Sequence, residues 1–289
     1  MKITNKMNLP MPFVRMAESD YKYTEKRYSI TTLLKPTREI LLCRRHDHEV
    51  EQDCSEMIWA LFGQAVHHIL QQASDGKTEF AEERLEYTLE NGYTISGIID
   101  LYDMAKEEVV DYKTASTWKV VFNDFKDWEK QGLGYAWLLQ KNGLPCKTVK
   151  FYGILKDHSK SEAKRKADYP KLPVVEVPFR FDSIEEIDKY LREKVDELIK
   201  CESIPDDELP LCSEEDRWRS PNKYAVMKKG RKSALRLLDT QEEAEEWQKV
   251  NGGDSIEVRP GLDKKCIDYC SCKNYCKYYL ENVKEEETE

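Results

Sequence analysis

The feature that most narrows the fold is a run of three strand-like segments, at about 83 to 90, 93 to 103 and 107 to 113. Asn91-Gly92 joins the first two and is the strongest short hairpin signal a sequence offers. The second passes through Gly97-Ile98-Ile99-Asp100-Leu101-Tyr102-Asp103, the third through Val109-Val110-Asp111-Tyr112-Lys113-Thr114, and each delivers an acid among β-branched residues. Side chains alternate along a strand, so Asp111 and Lys113 share a face while Tyr112 points away.

Helices are expected on both sides of this run. After Ser55, read as an N-cap, the positions Ile58, Leu61, Phe62, Ala65, Val66, Ile69 and Leu70 recur at helical spacing. Gly63 costs such a helix roughly 1 kcal/mol against alanine, which points to a close approach there, and His67 lies one turn on. A second helix, about Phe125 to Asn142, carries Gln131 and Tyr135 one turn apart and ends at Gly143. Thr148 to Leu155 reads as a further strand. The order helix, three strands, helix, strand predicts an α/β core with a mixed central sheet flanked by helices.

Around that core the expected division is an N-terminal arm at 1–27, a core at 28–204, a small hairpin-helix module at 205–260, a cysteine-rich segment at 261–282 and an acidic tail at 283–289. Arg38 to Arg45 reads as a helix after Pro36, Val174 to Phe181 as a strand, and Ile184 to Cys201 as a helix. The module carries a basic turn, Lys228-Lys229-Gly230-Arg231-Lys232. Such a tip is commonly plain surface; Lys228, Lys229, Arg231 and Lys232 are also candidates to follow a phosphate backbone.

Two acids near strand ends are a candidate hard-cation site: Asp100 and Asp111 as oxygen ligands, the Tyr112 carbonyl as a third, and Lys113 to orient or deprotonate an attacking water. The plain alternative is that these acids solvate turns. Nothing in composition opposes a hydrolytic site. The formal net charge of -9 argues against non-specific nucleic-acid binding over the whole surface, yet permits a local basic groove. No apolar run approaches the ~20 residues of a membrane span. The first residues lack the apolar core of a secretory signal, so a cytoplasmic, intracellular protein is expected. Nine cysteines in a reducing compartment are not a disulfide framework, and four of them, Cys266, Cys270, Cys272 and Cys276, crowd into one stretch suited to metal or cluster ligation.

Taken in order, Gly63-x-x-x-His67, Glu83, Gly97-x-x-Asp100, Asp111-Tyr112-Lys113-Thr114 and Gln131-x-x-x-Tyr135 resemble the PD-(D/E)XK nuclease superfamily, in particular its RecB-type exonuclease branch. Ile99 stands where the namesake proline would be, a tolerant position. The resemblance implies a restriction-endonuclease-like core and a Mg²⁺ or Mn²⁺ site held by His67, Asp100, Asp111 and the Tyr112 carbonyl. Lys113 is implied as the catalytic lysine, with Gln131 and Tyr135 beside it. It also implies a [4Fe-4S] cluster, as in AddB-like and CRISPR-associated nucleases, on Cys43, Cys266, Cys270 and Cys276. The local alternative is a Zn²⁺ site that uses Cys272 instead of Cys43, and a third possibility is a set of reduced thiols. Cys54, Cys146, Cys201 and Cys212 are read as structural.

The expected activity is hydrolysis of phosphodiester bonds by a DNA exonuclease acting at free ends, in recombination, repair or phage DNA processing, with recombination or replication proteins as possible partners. The reading from another class is a non-catalytic nucleic-acid-binding subunit stabilised by its cluster or zinc.

Overall fold

A computed structural model describes residues 1–18, 24–74 and 78–283. Its strands are β1 (Lys2–Thr4), β2 (Arg27–Ser29), β3 (Glu51–Asp53), β4 (Glu79–Thr88), β5 (Thr94–Asp103), β6 (Glu108–Ala115), β7 (Thr148–Leu155), β8 (Val174–Arg180), β9 (Lys223–Met227), β10 (Arg236–Leu238) and β11 (Ser255–Arg259). Its helices are α1 (Met11–Ala17), α2 (Ile30–Leu33), α3 (Thr37–Arg45), α4 (Ile58–Gln72), α5 (Thr117–Val121), α6 (Lys126–Lys141), α7 (Lys160–Arg165), α8 (Glu185–Cys201), α9 (Gln241–Asn251), α10 (Lys264–Asp268) and α11 (Lys277–Asn282). The expected acidic tail lies, beyond Val283, outside the described residues. Two compact units separate: Met1–Lys35 with Asp47–Glu202, and Pro36–His46 with the chain from Ser203. Helix α3, expected within the core, thus belongs with the C-terminal part.

The first unit is built on β5. Its neighbour β4 runs antiparallel along it from Glu79↔Asp103 to Thr88↔Thr94. The other edge is shared: β2 pairs parallel over Thr94–Ser96, and β6 antiparallel over Leu101–Asp103. The two neighbours therefore part between Gly97 and Asp100. Beyond β6 the sheet continues with β7, parallel, and β8, antiparallel, which gives the mixed sheet expected. Between β4 and β5 the Leu89 N–H still donates to the Tyr93 carbonyl at 2.8 Å, which leaves a three-residue turn, Glu90 to Gly92. Only Gly92 has positive φ, +81°, and the Asn91 side chain accepts the Tyr93 N–H at 3.1 Å.

Helix α6 lies on this sheet and buries Trp128, Tyr135, Ala136, Trp137, Leu138 and Leu139. Gly97 makes room for it, since a Cβ there would stand 2.8 Å from Leu138 Cδ1 and 3.2 Å from the Tyr135 ring. Helix α8 buries Ile187, Leu191, Val195 and Leu198, one stripe at helical spacing.

Asp188 ties α8 to α6. Its carboxylate accepts the indole N–H of buried Trp137 at 2.7 Å, Lys141 at 2.9 Å and Arg192 at 2.8 Å. Burial opposes the charge, but those three donors outweigh it and hold the carboxyl at about 2. Asp188→Ala should cost about 2–3 kcal/mol in urea unfolding, because the Trp137 N–H is left buried and unpaired. An unfolded aspartate titrates near about 3.9, so the stability from this depressed group is complete above that value and lost as pH falls through the folded one. The native protein should therefore lose more stability between about pH 4 and 2 than Asp188→Asn does; equal losses would show that the three donors do not act on this carboxylate.

Two expectations change in this unit. Within the expected arm, β1 pairs parallel with β3, and α1 follows it. Ahead of α4 the chain makes a 3₁₀ turn, Cys54–Met57, capped by Asp53, whose Oδ1 accepts the Ser55 N–H at 3.1 Å; Ser55 is itself the capped residue.

In the second unit β9 is central, with β10 and β11 antiparallel on its two sides and α9 packed against it. The expected hairpin and helix are there, α9 opening with a Thr240/Glu243 capping box. Ser255–Arg259 adds a third strand that the sequence pattern did not reveal. At the cysteine-rich end, buried Arg38 of α3 donates to the carbonyls of Asp207, Leu209 and Pro210 at 2.5–3.2 Å. Among the described residues no helix is long and apolar enough to cross a membrane.

Candidate active site

The residues singled out on β5 and β6 meet where the two strands part. Asp100 Oδ2 accepts the Tyr112 backbone N–H at 2.8 Å, and its Oδ1 lies 3.2 Å from His67 Nδ1. His67 comes from α4, which passes over the end of β6: a Cβ on Gly63 would meet Thr114 Oγ1 at 3.6 Å, an ordinary contact, so the close approach expected from its glycine is not required here. Asp111 and Lys113 share a face, as alternation requires, with Lys113 Nζ 2.6 Å from Asp111 Oδ1 and 5.6 Å from the Phe151 ring centre. From α6, Gln131 Nε2 donates to Tyr135 Oη at 2.6 Å and reaches Asp111 Oδ2 at 3.5 Å. Glu83 stands opposite Ile99 and lines a hollow with Leu85, Leu139 and Leu144.

The electrostatics of this cluster are those of charges withdrawn from water. Asp111 is 1% exposed, and burial together with the neighbouring Asp100 charge pushes its carboxyl up to about 6, against the pull of Lys113 and His67. The hydrogen bond to Asp100 raises His67, partly offset by burial. Tyr135 is raised by burial and by the two carboxylates, so it stays a neutral phenol. Asp111 Oδ1 is buried, with the Lys113 ammonium as its neighbour at 2.6 Å.

That buried carboxylate, a second carboxylate and an imidazole form a donor set suited to a hard divalent ion. As the side chains stand, Lys113 and the Tyr112 N–H occupy the carboxylate oxygens, and among the described residues no three His, Cys, Asp or Glu groups are disposed round a common metal. Tyr112, expected to offer its carbonyl, also meets Asp100 through its N–H.

A family model described as the PD-(D/E)XK nuclease superfamily matches residues 58–277, the greater part of the chain. The chain belongs to this superfamily. Its nucleases generally use divalent ions such as Mg²⁺. Similar solved structures include SSO0001, at 16% identity and TM-score 0.48 over 68% of this chain and 85% of that one. Others are an alkaline exonuclease from Laribacter hongkongensis (12%, 0.37, 61% and 89%) and a phage-related exonuclease from Haemophilus somnus 129PT (16%, 0.29, 66% and 78%). No curated protein matches the chain.

The remaining candidates of this PD-(D/E)XK chain lie in the second unit. Cys212, Cys266, Cys270, Cys272 and Cys276 line one enclosed hollow with Arg38, Arg217 and Lys265. Cys270 and Cys272 sulfurs are 3.6 Å apart, and Cys43 adjoins them, its thiol in hydrogen-bond reach of Cys272 and 3.3 Å from Ser271 Oγ. Burial pushes the Cys266 thiol up to about 12 and Cys212 up to about 11, whereas the hydrogen bond with Cys272 lowers Cys270. Cys212, read as structural, is the residue that sequence reasoning missed. It sits far from the other four in sequence, and only its neighbour Pro210, whose carbonyl Arg38 binds, hints at its placement. Lys228, Lys229, Arg231 and Lys232 stand exposed around Gly230, with the Lys229 N–H bound by Asp254 at 2.5 Å.

Proposed function

We propose that this superfamily member is a metal-dependent deoxyribonuclease that hydrolyses phosphodiester bonds at DNA ends. The observation that carries the reading is the buried Asp111–Lys113 pair facing Asp100 and His67 at the parting of the strands. Asp100, Asp111 and His67 are the ligands for Mg²⁺ or Mn²⁺, which when bound supplies charge neutralisation at the phosphate and a more acidic water. Lys113, drawn from Asp111, sets its ammonium against the charge that develops on the phosphate oxygens and orients the attacking water. Gln131, braced by the Tyr135 hydroxyl, holds Asp111 in its rotamer, so it is a positioning residue. End-labelled linear DNA and a closed circle, each incubated with Mg²⁺ or Mn²⁺, test this: an exonuclease consumes the linear molecule and spares the circle. Cutting of both makes the protein an endonuclease, and sparing of both makes it a binding subunit.

The cysteine-rich end is proposed to hold a soft metal centre, because five thiols face one hollow and thiolates suit iron-sulfur clusters and Zn²⁺. Anaerobically purified protein should be brown with absorbance near about 400 nm if the centre is [4Fe-4S], and colourless with bound zinc in the alternative. Metal-free protein of native stability would remove both.

The basic turn is proposed to follow the phosphate backbone. Lys228→Glu with Arg231→Glu should weaken DNA binding by about tenfold or more at low salt and flatten the slope of log Kd against log salt by about 2, one for each phosphate that is no longer neutralised. Unchanged affinity across a salt series would make the turn plain surface.

A further inference from the structure

Helix α4 has the composition of a core helix, yet none of its fifteen residues is buried. Trp59 is 60% exposed and Phe62 39%. The neighbouring α5 is alike: Trp118 and Phe122 stack on each other, ring centres 5.7 Å apart, and are 52% and 72% exposed. Exposed apolar area of this extent on a folded protein marks a binding surface.

The elements that carry these two pairs of rings are both anchored at the end of β6, a few residues beyond Lys113. The Lys156 N–H donates to Ala115 O, the last residue of β6, while its ammonium lies 4.0 Å over the Trp59 ring. The next residue, Asp157, accepts the Ser116 hydroxyl at 2.7 Å and the Thr117 N–H at 2.6 Å, which anchors the start of α5 beside the same strand end. Lys166 stands 6.0 Å over Trp118. Each tryptophan therefore carries an ammonium, and both lie on elements that meet β6 within a few residues of Lys113.

A protein partner covering this surface would have to bury two ammonium groups along with the rings, at a desolvation cost that an apolar surface does not offset. A nucleic acid strand offers both complements, phosphates for the lysines and π-faces for the rings. In an intact duplex those π-faces are stacked inside the helix, so only unpaired bases can use the rings. We propose that Trp59, Phe62, Trp118 and Phe122, with Lys156 and Lys166, form a stacking platform that receives unpaired bases and leads a single strand to Lys113. The direction of that path rests on the nuclease reading; the binding itself does not. The substrate this surface selects is a single strand or a frayed end.

The test uses the full chain in EDTA, with labelled oligo(dT) of about 20 nucleotides and a duplex of equal length as probes, beyond the span of one stacking site. Oligo(dT) should quench tryptophan fluorescence. Trp59→Ala with Trp118→Ala should weaken its binding by about 100-fold, whereas Trp59→Phe with Trp118→Phe should stay within about threefold, since a smaller ring still stacks. Duplex binding should change little. The proposal is overturned if the alanine pair binds oligo(dT) like the native protein, or if single strand and duplex lose equally. It is also overturned if the alanine pair keeps oligo(dT) binding but no longer self-associates, which would make the surface a protein interface. Hydrolysis with Mg²⁺ separates the two readings. Native protein that cuts, with an alanine pair that binds and cuts as well, leaves the nuclease and removes the platform. Native protein that never cuts, with oligo(dT) binding lost in the alanine pair, leaves the platform and removes the nuclease.

Discussion

Lys113→Met should lower the single-turnover rate of phosphodiester hydrolysis by about 10³-fold or more, while DNA affinity measured with Ca²⁺ stays within about threefold of native. In the proposed mechanism the ammonium, half-buried beside Asp111, is one charge set against the reacting phosphate, and electrostatic donors of that kind characteristically cost two to three powers of ten when removed. Ground-state binding should survive because it draws on many phosphate interactions, of which that of Lys113 is one. Folding should survive as well, since Asp111 without its ammonium is a carboxyl already pushed up to about 6 by burial, and it gains a proton readily. A variant that hydrolyses DNA at the native rate would end the proposal that Lys113 is catalytic. Loss of binding in step with loss of rate would make it a docking residue only.

Gly97→Val should destabilise the first unit by about 2–4 kcal/mol and slow hydrolysis in the fraction that folds by about tenfold. The added Cβ alone would stand 2.8 Å from Leu138 Cδ1 and 3.2–3.4 Å from the Tyr135 ring, and valine brings two further methyl groups into that space. Leu138 is fully buried and cannot swing clear, so α6 must shift on the sheet. Tyr135 moves with it, and through the 2.6 Å bond to Gln131 the disturbance reaches Asp111. Urea unfolding reads the first effect and single-turnover hydrolysis the second. Gly97→Ala should show the same signs at smaller size. Native stability in the valine variant would mean that α6 does not rest on β5 in solution as described.

The strand meander and the two long helices were legible in the sequence because each rests on a local signal: alternation, helical spacing, a glycine at a turn. Thr148–Leu155 was legible to the residue, since its half-buried and buried positions alternate without a break. The third strand of the small sheet was hidden because Ser255–Arg259 has only Ile256 and Val258 as apolar residues, both on one face. The fate of α4 was hidden for a different reason. Periodicity locates an apolar face but not how fully it is covered, and here, among the described residues, no residue of α4 is more than half-buried. The approach of His67 to Asp100 and of Gln131 to Asp111 followed from motif order, whereas the gathering of Cys212 with Cys266, Cys270, Cys272 and Cys276 depends on a chain path with no sequence signature.

Where β2 and β6 part along β5, the Asp100 carboxylate stands in for a missing strand, accepting an amide that a backbone carbonyl would otherwise take. An ion that engages Asp100 Oδ1 beside His67 draws negative charge away from Oδ2, and the hydrogen bond from the Tyr112 amide weakens. The ¹⁵N–¹H resonance of Tyr112 thus becomes a gauge of ion occupancy, readable by titration before any DNA is added. Its amide should also exchange with solvent faster as the ion is taken up, although Tyr112 lies in the middle of a paired strand.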